Sequence, residues 1–424
     1  MDTVYALSSG APPAGIAVIR VSGPHAKAAL NDLAGSLPAP RRASARRLRN
    51  RSGVTLDDAL VLWLPGPGTA TGEDIAELHL HGGRAVVAAV EEALSAFPGL
   101  RRAKPGEFTR RAFANGRLDL AEAEGLADLL AAETELQRRS ALEMLDGKFS
   151  RQVNDWREAV LHVSAQIEAV LDFSDEDDVA VLPAEFTQRL NALSAELLEW
   201  LAKPRAERLK EGFKVVMAGP PNSGKSTLFN ALLDDDAAIV SPIAGTTRDV
   251  LERSVSLAGI PFTFVDTAGL RSHSDDSIEV IGIERAHAEA LAADLVLWLG
   301  DEGEGPSGAW EIDPKCDRDD RIAKHRPDLS LSAKTGEGVG LLRERLISRA
   351  SNAMPQPGSI ALNMRQHRLI ESASDALSEI AVTEDPLLVA EQLRLARLAF
   401  DSLIGRTSTE DMLDALFGRF CIGK

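Results

Sequence analysis

Nine consecutive residues, GPPNSGKST from Gly219 to Thr227, carry the strongest chemical signature in the chain. They fit the pattern G-x-x-x-x-G-K-[ST], in which two glycines let a loop wrap phosphate oxygens with its amides. Lys225 would reach the β and γ oxygens, and the Ser226 hydroxyl would ligate Mg2+. A β-rich run precedes the loop and the helical LFNALL follows it, the context this chemistry requires. Two shorter motifs come next, in the order that a switch GTPase needs. In GTTRD, Gly245 to Asp249, Thr247 can complete the Mg2+ shell and sense the γ-phosphate. In DTAG, Asp266 can hold a metal-bound water and the Gly269 amide can bond the γ-phosphate. Either alone would read as a turn or a cap; the ordered set reads as a nucleotide switch.

Base selection departs from the usual N-K-x-D, whose aspartate reads the guanine N1–H and exocyclic amine. The candidate is PKCD, Pro314 to Asp317, followed at a suitable distance by SAK, Ser332 to Lys334. Pro314 has neither an amide side chain nor a backbone N–H. Guanine preference is therefore expected to rest on Asp317, with weakened affinity. The residue after DTAG is Leu270, which cannot orient an attacking water as a glutamine would. DDSIEVIGIER offers Glu279 and Glu284 instead, although spacing alone reads both as solvated helix residues.

These motifs need elements to hold them. KVVMAG, FTFVDTAG and LVLWLG alternate with helical stretches between residues 211 and 350, as in a parallel α/β sheet. Residues 1–117 mix short apolar runs, GIAVIRVSG and DDALVLWLPGPG, with Gly/Pro punctuation and the helix-like GGRAVVAAVEEALSAF, which predicts a compact α/β domain. Over 118–210 the period changes. Val153, Trp156, Val160, Val163, Ile167 and Val170 form one helical stripe, and Phe186, Leu190, Leu193, Leu197 and Trp200 another. The acidic Asp172–Asp178 between them reads as a solvated inter-helix loop rather than a metal site. Helical pattern resumes over 351–424, so an α/β domain inserted into a helical one is expected.

At 424 residues the chain is too long for one core. No window approaches the roughly 18 apolar residues of a membrane helix, and the first twenty residues lack a basic segment ahead of an apolar core. A cytoplasmic protein with no membrane association is expected. Cys316 and Cys421 are too few for a disulfide framework and lack zinc-site spacing. A net charge of −17 works against broad, nonspecific nucleic-acid binding. Any RNA contact must be local, and RRASARRLRNR, with Arg41, Arg42, Arg46, Arg47, Arg49 and Arg51, is the candidate stretch. Its plainer reading is a solvated face.

Together GPPNSGKST, GTTRD, DTAGLR, IGIER and the terminal FCIGK resemble the MnmE (TrmE) family of tRNA-modification GTPases. GIAVIRVSG, TGEDIAELHLHGG and KPGEFTRRAFANGRLDLAEAE match its pattern too, so the resemblance covers essentially the whole chain. It implies a multidomain α/β plus all-α fold. An N-terminal folate-binding and dimerising α/β domain would span 1–117, a discontinuous helical domain 118–210 and 351–424, and an inserted Ras-like P-loop G domain with a mostly parallel sheet 211–350. The implied activity is K+-dependent GTP hydrolysis. With the flavoprotein MnmG, this would serve addition of an aminomethyl or carboxymethylaminomethyl group to C5 of the wobble uridine (U34) of certain tRNAs. The one-carbon donor would be 5-formyl- or 5,10-methylene-tetrahydrofolate. Implied partners are a second copy of the chain, MnmG and tRNA.

The resemblance also implies roles for residues. GTP would be held by Asn222, Ser223, Gly224, Lys225, Ser226 and Thr227, then by Ser241, Pro242, Ile243, Ala244, Gly245, Thr246 and Thr247. Asp266, Thr267, Ala268 and Gly269 follow, with Lys315, Asp317, Ser332, Ala333 and Lys334 around the base. Mg2+ falls to Ser226 and Thr247, and K+ to Asn222, Ser241, Ile243 and Thr246, where a cation would stabilise charge developing at the β–γ bridge. Glu279 matches the water-orienting glutamate. Arg20, Glu77, Arg117 and Lys424 match the folate positions, where guanidinium and carboxylate groups suit the ligand's own charges. Cys421 is either a nucleophile toward C6 of the uridine or a buried thiol at a docked terminus. A GTP-gated scaffold without modification chemistry, or a weak GTPase serving as a folate-binding module, also fits these residues.

Overall fold

The structure is a computed structural model that describes residues 2–172, 184–234, 238–239, 251–266, 289, 291–319, 321–356, 358–383 and 385–423. The chain forms two compact units. One comprises Met1–Ala127, Ser150–Arg157 and Phe400–Lys424; the other comprises Asp128–Phe149 and Glu158–Ala399.

The first unit is built on a six-stranded sheet of β1 (Thr3–Leu7), β2 (Ile16–Ser22), β3 (Ser44–Arg49), β4 (Thr55–Leu64), β5 (Ile75–His81) and β6 (Leu100–Arg102). Its order is β3-β4-β5-β2-β1-β6, antiparallel throughout except for the β1–β6 pair. Alternation sends Ile19, Val21, Leu48, Val61, Leu78 and Leu80 to one face, where the helices Ala26–Ala34 and Arg84–Ser95 cover them. The opposite face carries Arg20 and Glu77, which the β2–β5 register sets directly opposite each other.

The end of the chain packs within the same unit. Phe417 and Phe420 join Leu120 and Ala123 in a small apolar cluster. Beyond them Ile422 bridges Pro105, and the Gly106 N–H donates to the Cys421 carbonyl at 3.4 Å. Two glycines permit this approach. Gly106, at φ 65°, would bring a Cβ within 2.2 Å of the Phe417 carbonyl oxygen, and Gly423, at φ 96°, would bring one within 2.0 Å of Leu7 oxygen. Gly106→Ala is therefore expected to lower unfolding free energy by about 2–4 kcal/mol, the combined cost of a left-handed alanine and a backbone clash. Gly116→Ala shares the left-handed φ of 64° but has open space around it, so it isolates the clash in urea titrations. Equal unfolding midpoints for the two variants would count against a seated tail.

The second unit contains a seven-stranded sheet of β7 (Phe213–Ala218), β8 (Ala238–Ile239), β9 (Leu251–Leu257), β10 (Ile260–Asp266), β11 (Leu295–Trp298), β12 (Trp310–Asp313) and β13 (Leu329–Ser330). The order is β13-β12-β11-β7-β10-β9-β8. The pairs β13–β12, β12–β11, β11–β7 and β7–β10 are parallel, and β9 and β8 run antiparallel at the far edge. β7 is apolar on both faces, with Val215 and Met217 in one cluster and Val216 in another, as a central parallel strand requires. In the same unit the helix Met364–Ile380 packs on Ala184–Leu201. The expected stripes are buried at Val153, Trp156, Val160, Val163 and Ile167, and at Phe186, Leu190, Leu193, Leu197 and Trp200, whereas Val170 is only half-buried.

Candidate nucleotide-binding site

The chain order of the parallel strands reverses at β7, so the crevice outside its carboxyl end is where a ligand is expected. There Ala218 runs into the loop Gly219–Gly224, and the helix Lys225–Asp234 begins. Leu228 and Leu232, one turn apart, are fully buried and anchor that helix to the sheet core. The turn itself needs unusual backbone. Gly219 has φ 147°, with β11's continuation so close that a Cβ would sit 3.0 Å from Gly300 N, and Asn222 adopts a left-handed φ of 61°.

Lys225 is 5% exposed, and its ammonium donates to the carbonyls of Gly219 (2.9 Å) and Pro220 (2.7 Å). That arrangement holds a cation inside the loop, at the positive end of a helix. The Ser226 hydroxyl donates to Asp266 Oδ2 at 2.7 Å, and Asp266, 1% exposed at the end of β10, is thereby aimed at the loop. Ser223 Oγ is buried without a hydrogen-bond partner among the described residues. Thr227 faces the adjoining cavity.

That cavity, about 360 Å³, is lined by Gly224 and Thr227 on one side and by Pro314, Lys315, Asp317, Ser332, Ala333 and Lys334 on the other. Lining residues 87 or more positions apart in sequence, from Thr227 to Pro314, thus close one pocket because β12 and β13 end beside β11. Lys315, at φ 59°, spans the pocket and donates to the Asn222 carbonyl at 2.6 Å. The Ser332 hydroxyl bonds the Asp317 carboxyl and, aided by Lys334 and Arg318, holds its pKa below the ordinary 3.8. Asp317 is thus an anionic acceptor in the pocket wall, the species that reads paired donors on a base edge. Arg318, Leu299 and Leu331 also line the cavity. No motif marked them, since they reach it only through strand order. Cys316 is raised by burial and by nearby Glu337, away from the thiolate form.

Ser241, Pro242, Ile243, Ala244, Gly245, Thr246, Thr247, Thr267, Ala268, Gly269, Glu279 and Lys424 lie outside the described residues, as do Glu284 and 173–178 of the acidic stretch. Of the remaining candidates, Arg20 donates to Glu77 Oε1 from Nε (3.0 Å) and Nη2 (2.9 Å), and its guanidinium lies 5.8 Å over the Phe108 ring. His79 Nε2 approaches the other Glu77 oxygen at 3.3 Å. Arg117 is exposed and runs past Gly72, and Cys421 is exposed. The arginine-rich stretch includes the edge strand β3. There Arg47 pairs with Asp58 (2.8 and 3.1 Å), Arg51 with Asp32 (3.2 Å), and Arg41 and Arg49 donate to the carbonyls of Gly68 and Gly53. Charge on an edge strand also blocks pairing with other chains.

A central parallel strand opening into this loop, with an acidic strand end bonded to the loop's serine, is the architecture of a P-loop GTP hydrolase. Residues 3–117 match the family described as "GTP-binding protein TrmE N-terminus", and residues 120–421 match "MnmE helical domain". The chain belongs to the MnmE (TrmE) family. It is 63% identical to the "tRNA modification GTPase MnmE" of Erythrobacter litoralis over 424 residues, covering 100% of both chains. It is 60% identical over 435 residues to the protein of that description from Novosphingobium aromaticivorans, again over 100% of both. Among solved structures, the G domain of the T. maritima FeoB iron transporter is similar at 25% identity and a TM-score of 0.23, over 32% of this chain and 98% of its own.

Proposed function

We propose that the chain is a K+-dependent GTPase that acts with MnmG and tRNA to add an aminomethyl or carboxymethylaminomethyl group to C5 of the wobble uridine. The observation that carries the GTPase reading is the Ser226–Asp266 contact at 2.7 Å beside the buried Lys225. Two hard oxygen donors and a cation converge where the terminal phosphates of a nucleotide would lie. The donor set fits Mg2+, which would be held by Ser226 and Thr247 and would neutralise charge on the β and γ oxygens when bound. Asn222, with Ser241, Ile243 and Thr246, would hold K+; its backbone carbonyl accepts from Lys315. In this reading Lys225 binds phosphate, Asp317 selects the base and Glu279 orients water.

Folate fits the sheet face in the first unit, where Arg20 and Glu77 supply opposite charges side by side. Arg117 and Lys424 would add cations to the ligand's glutamate end, and Cys421 would act on the uridine. In this reading the chain divides into 1–117, 118–210, 211–350 and 351–424, and the match over 3–117 supports the first of these boundaries. Among the described residues no helix is long and apolar enough to cross a membrane, which is compatible with a cytoplasmic homodimer bound to MnmG.

Initial rates of GTP hydrolysis in KCl and NaCl at equal ionic strength test this reading. At least a tenfold advantage in K+ is expected, and Glu279→Ala should abolish most turnover while retaining GTP affinity. Equal rates in the two salts would remove K+ from the mechanism. Nucleoside analysis of tRNA from cells lacking the protein then tests the modification: unchanged U34 would overturn it.

A further inference from the structure

The loop that reads the base lacks its usual anchor. Pro314 stands where an asparagine side chain would tie the loop down, and residues 314–328, from β12 to β13, contain no helix among those described. Regular structure therefore does not fix Asp317. An ion pair between a buried carboxylate and a partly exposed guanidinium stands in its place. Asp313, the last residue of β12 and 3% exposed, accepts from the Arg321 guanidinium and, at 3.1 Å, from the Ser330 hydroxyl at the end of β13. One carboxylate so joins the start of the loop, its return four residues after Asp317, and the neighbouring strand.

The backbone continues the same clamp. Leu331 N–H donates to the Asp313 carbonyl at 3.0 Å, Cys316 N–H to the Leu331 carbonyl at 3.1 Å, and Arg318 N–H to the Lys315 carbonyl at 3.0 Å. Three residues beyond Arg321, the Lys324 ammonium, its side chain 6% exposed, donates to the Trp298 carbonyl at 3.0 Å and to Glu311. A buried carboxylate stripped of its cation is costly, so the Asp313–Arg321 contact enforces one arrangement of the residues it encloses. Those residues include Pro314, Lys315, Asp317 and Arg318, which line the cavity.

We propose that the Asp313–Arg321 pair is the positioning element that aims Asp317 and sets guanine selectivity in place of an asparagine side chain. This rests on the reading of the cavity as the guanine site. A pair that merely stabilised the sheet edge would, when broken, weaken every nucleotide alike; a positioning pair affects the groups that Asp317 touches. Inosine diphosphate lacks the exocyclic amine that Asp317 accepts, so the ratio of GDP to IDP affinity reports on the aim of that carboxylate.

Calorimetric titrations of the full chain with GDP, IDP and ADP provide the test. Equal GDP and ADP affinity in the unaltered protein would show that the guanine reading itself is wrong. Where the unaltered protein selects GDP, Arg321→Met is expected to lower GDP affinity about tenfold and IDP affinity much less. Pro314→Asn combined with Arg321→Met is expected to recover most of that loss, because the amide resumes the anchoring role. An Arg321→Met protein that keeps the original GDP/IDP ratio, or loses both nucleotides equally, overturns the proposal, as does strict additivity in the double variant. If Arg321→Met does not fold, Ser330→Ala removes only the second donor to the carboxylate. A two- to threefold fall in the GDP/IDP ratio at unchanged melting temperature supports the proposal, and an unchanged ratio overturns it.

Discussion

Replacing Lys225 with methionine is expected to lower GTP affinity by about 10²–10⁴-fold and to remove hydrolysis with it. Two charge-assisted hydrogen bonds from the ammonium to phosphate oxygens are worth about 1.5–3 kcal/mol each, and every 1.4 kcal/mol is tenfold. Methionine keeps the length and apolar stem of the side chain, so the change isolates the charge. The fold should persist. Lys225 begins its helix, and the Leu228 and Leu232 contacts that hold the helix to the sheet are untouched. The carbonyls of Gly219 and Pro220 lose a donor, which limits the stability cost to about 1 kcal/mol for each bond. Equilibrium titration with a fluorescent GTP analogue measures the effect. Affinity within threefold of the unaltered protein would place the phosphates elsewhere.

Replacing Asp317 with asparagine is expected to exchange one base for another. GTP affinity should fall at least about 100-fold, because a carboxylate accepting two donors becomes an amide whose own N–H group opposes the exocyclic amine. Xanthosine triphosphate carries a carbonyl where guanosine carries that amine, so it should gain affinity in the same variant. The pH dependence has a definite sign. The folded-state pKa of Asp317 is lowered, first by the Ser332 hydroxyl, so its anionic contribution is present above the ordinary value of 3.8 and lost only as pH falls through the lowered one. Preference for GTP over ATP, whose bases do not titrate in this range, should therefore be flat from pH 8 to pH 5 in the unaltered protein. A preference that faded over that window, or an asparagine variant that still favoured GTP, would remove Asp317 from base reading.

The P-loop was legible because its chemistry is contiguous: Gly219, Gly224, Lys225 and Ser226 act within one turn of backbone, so spacing alone defines them. The stripes through Val153–Ile167 and Phe186–Trp200 were legible for a similar reason, one helical period read along one face. Contacts made by strand order were not. Arg20 and Glu77 are 57 residues apart and meet because of the β2–β5 register; only a family resemblance could pair them beforehand. The arginine stretch shows the same gap, since Asp58 opposes Arg47 through the β3–β4 register. Pro314 could be recognised as a missing anchor, but nothing in the spacing of Asp313, Arg321 and Ser330 announced that one carboxylate would gather them.

The first unit draws on residues from both far reaches of the chain, with Ile422 bridged to Pro105 and Gly423 lodged against Leu7. On a ribosome adding about 5–20 residues per second, Ala127 and Phe400 are separated by roughly 270 residues and some 15–50 s of elongation. Through that interval the sheet of the first unit must wait with its last contacts unmade, while the whole seven-stranded sheet of the second emerges and can fold. The discontinuity thus imposes a timetable, in which the module that would bind nucleotide can mature before the module that closes on the tail.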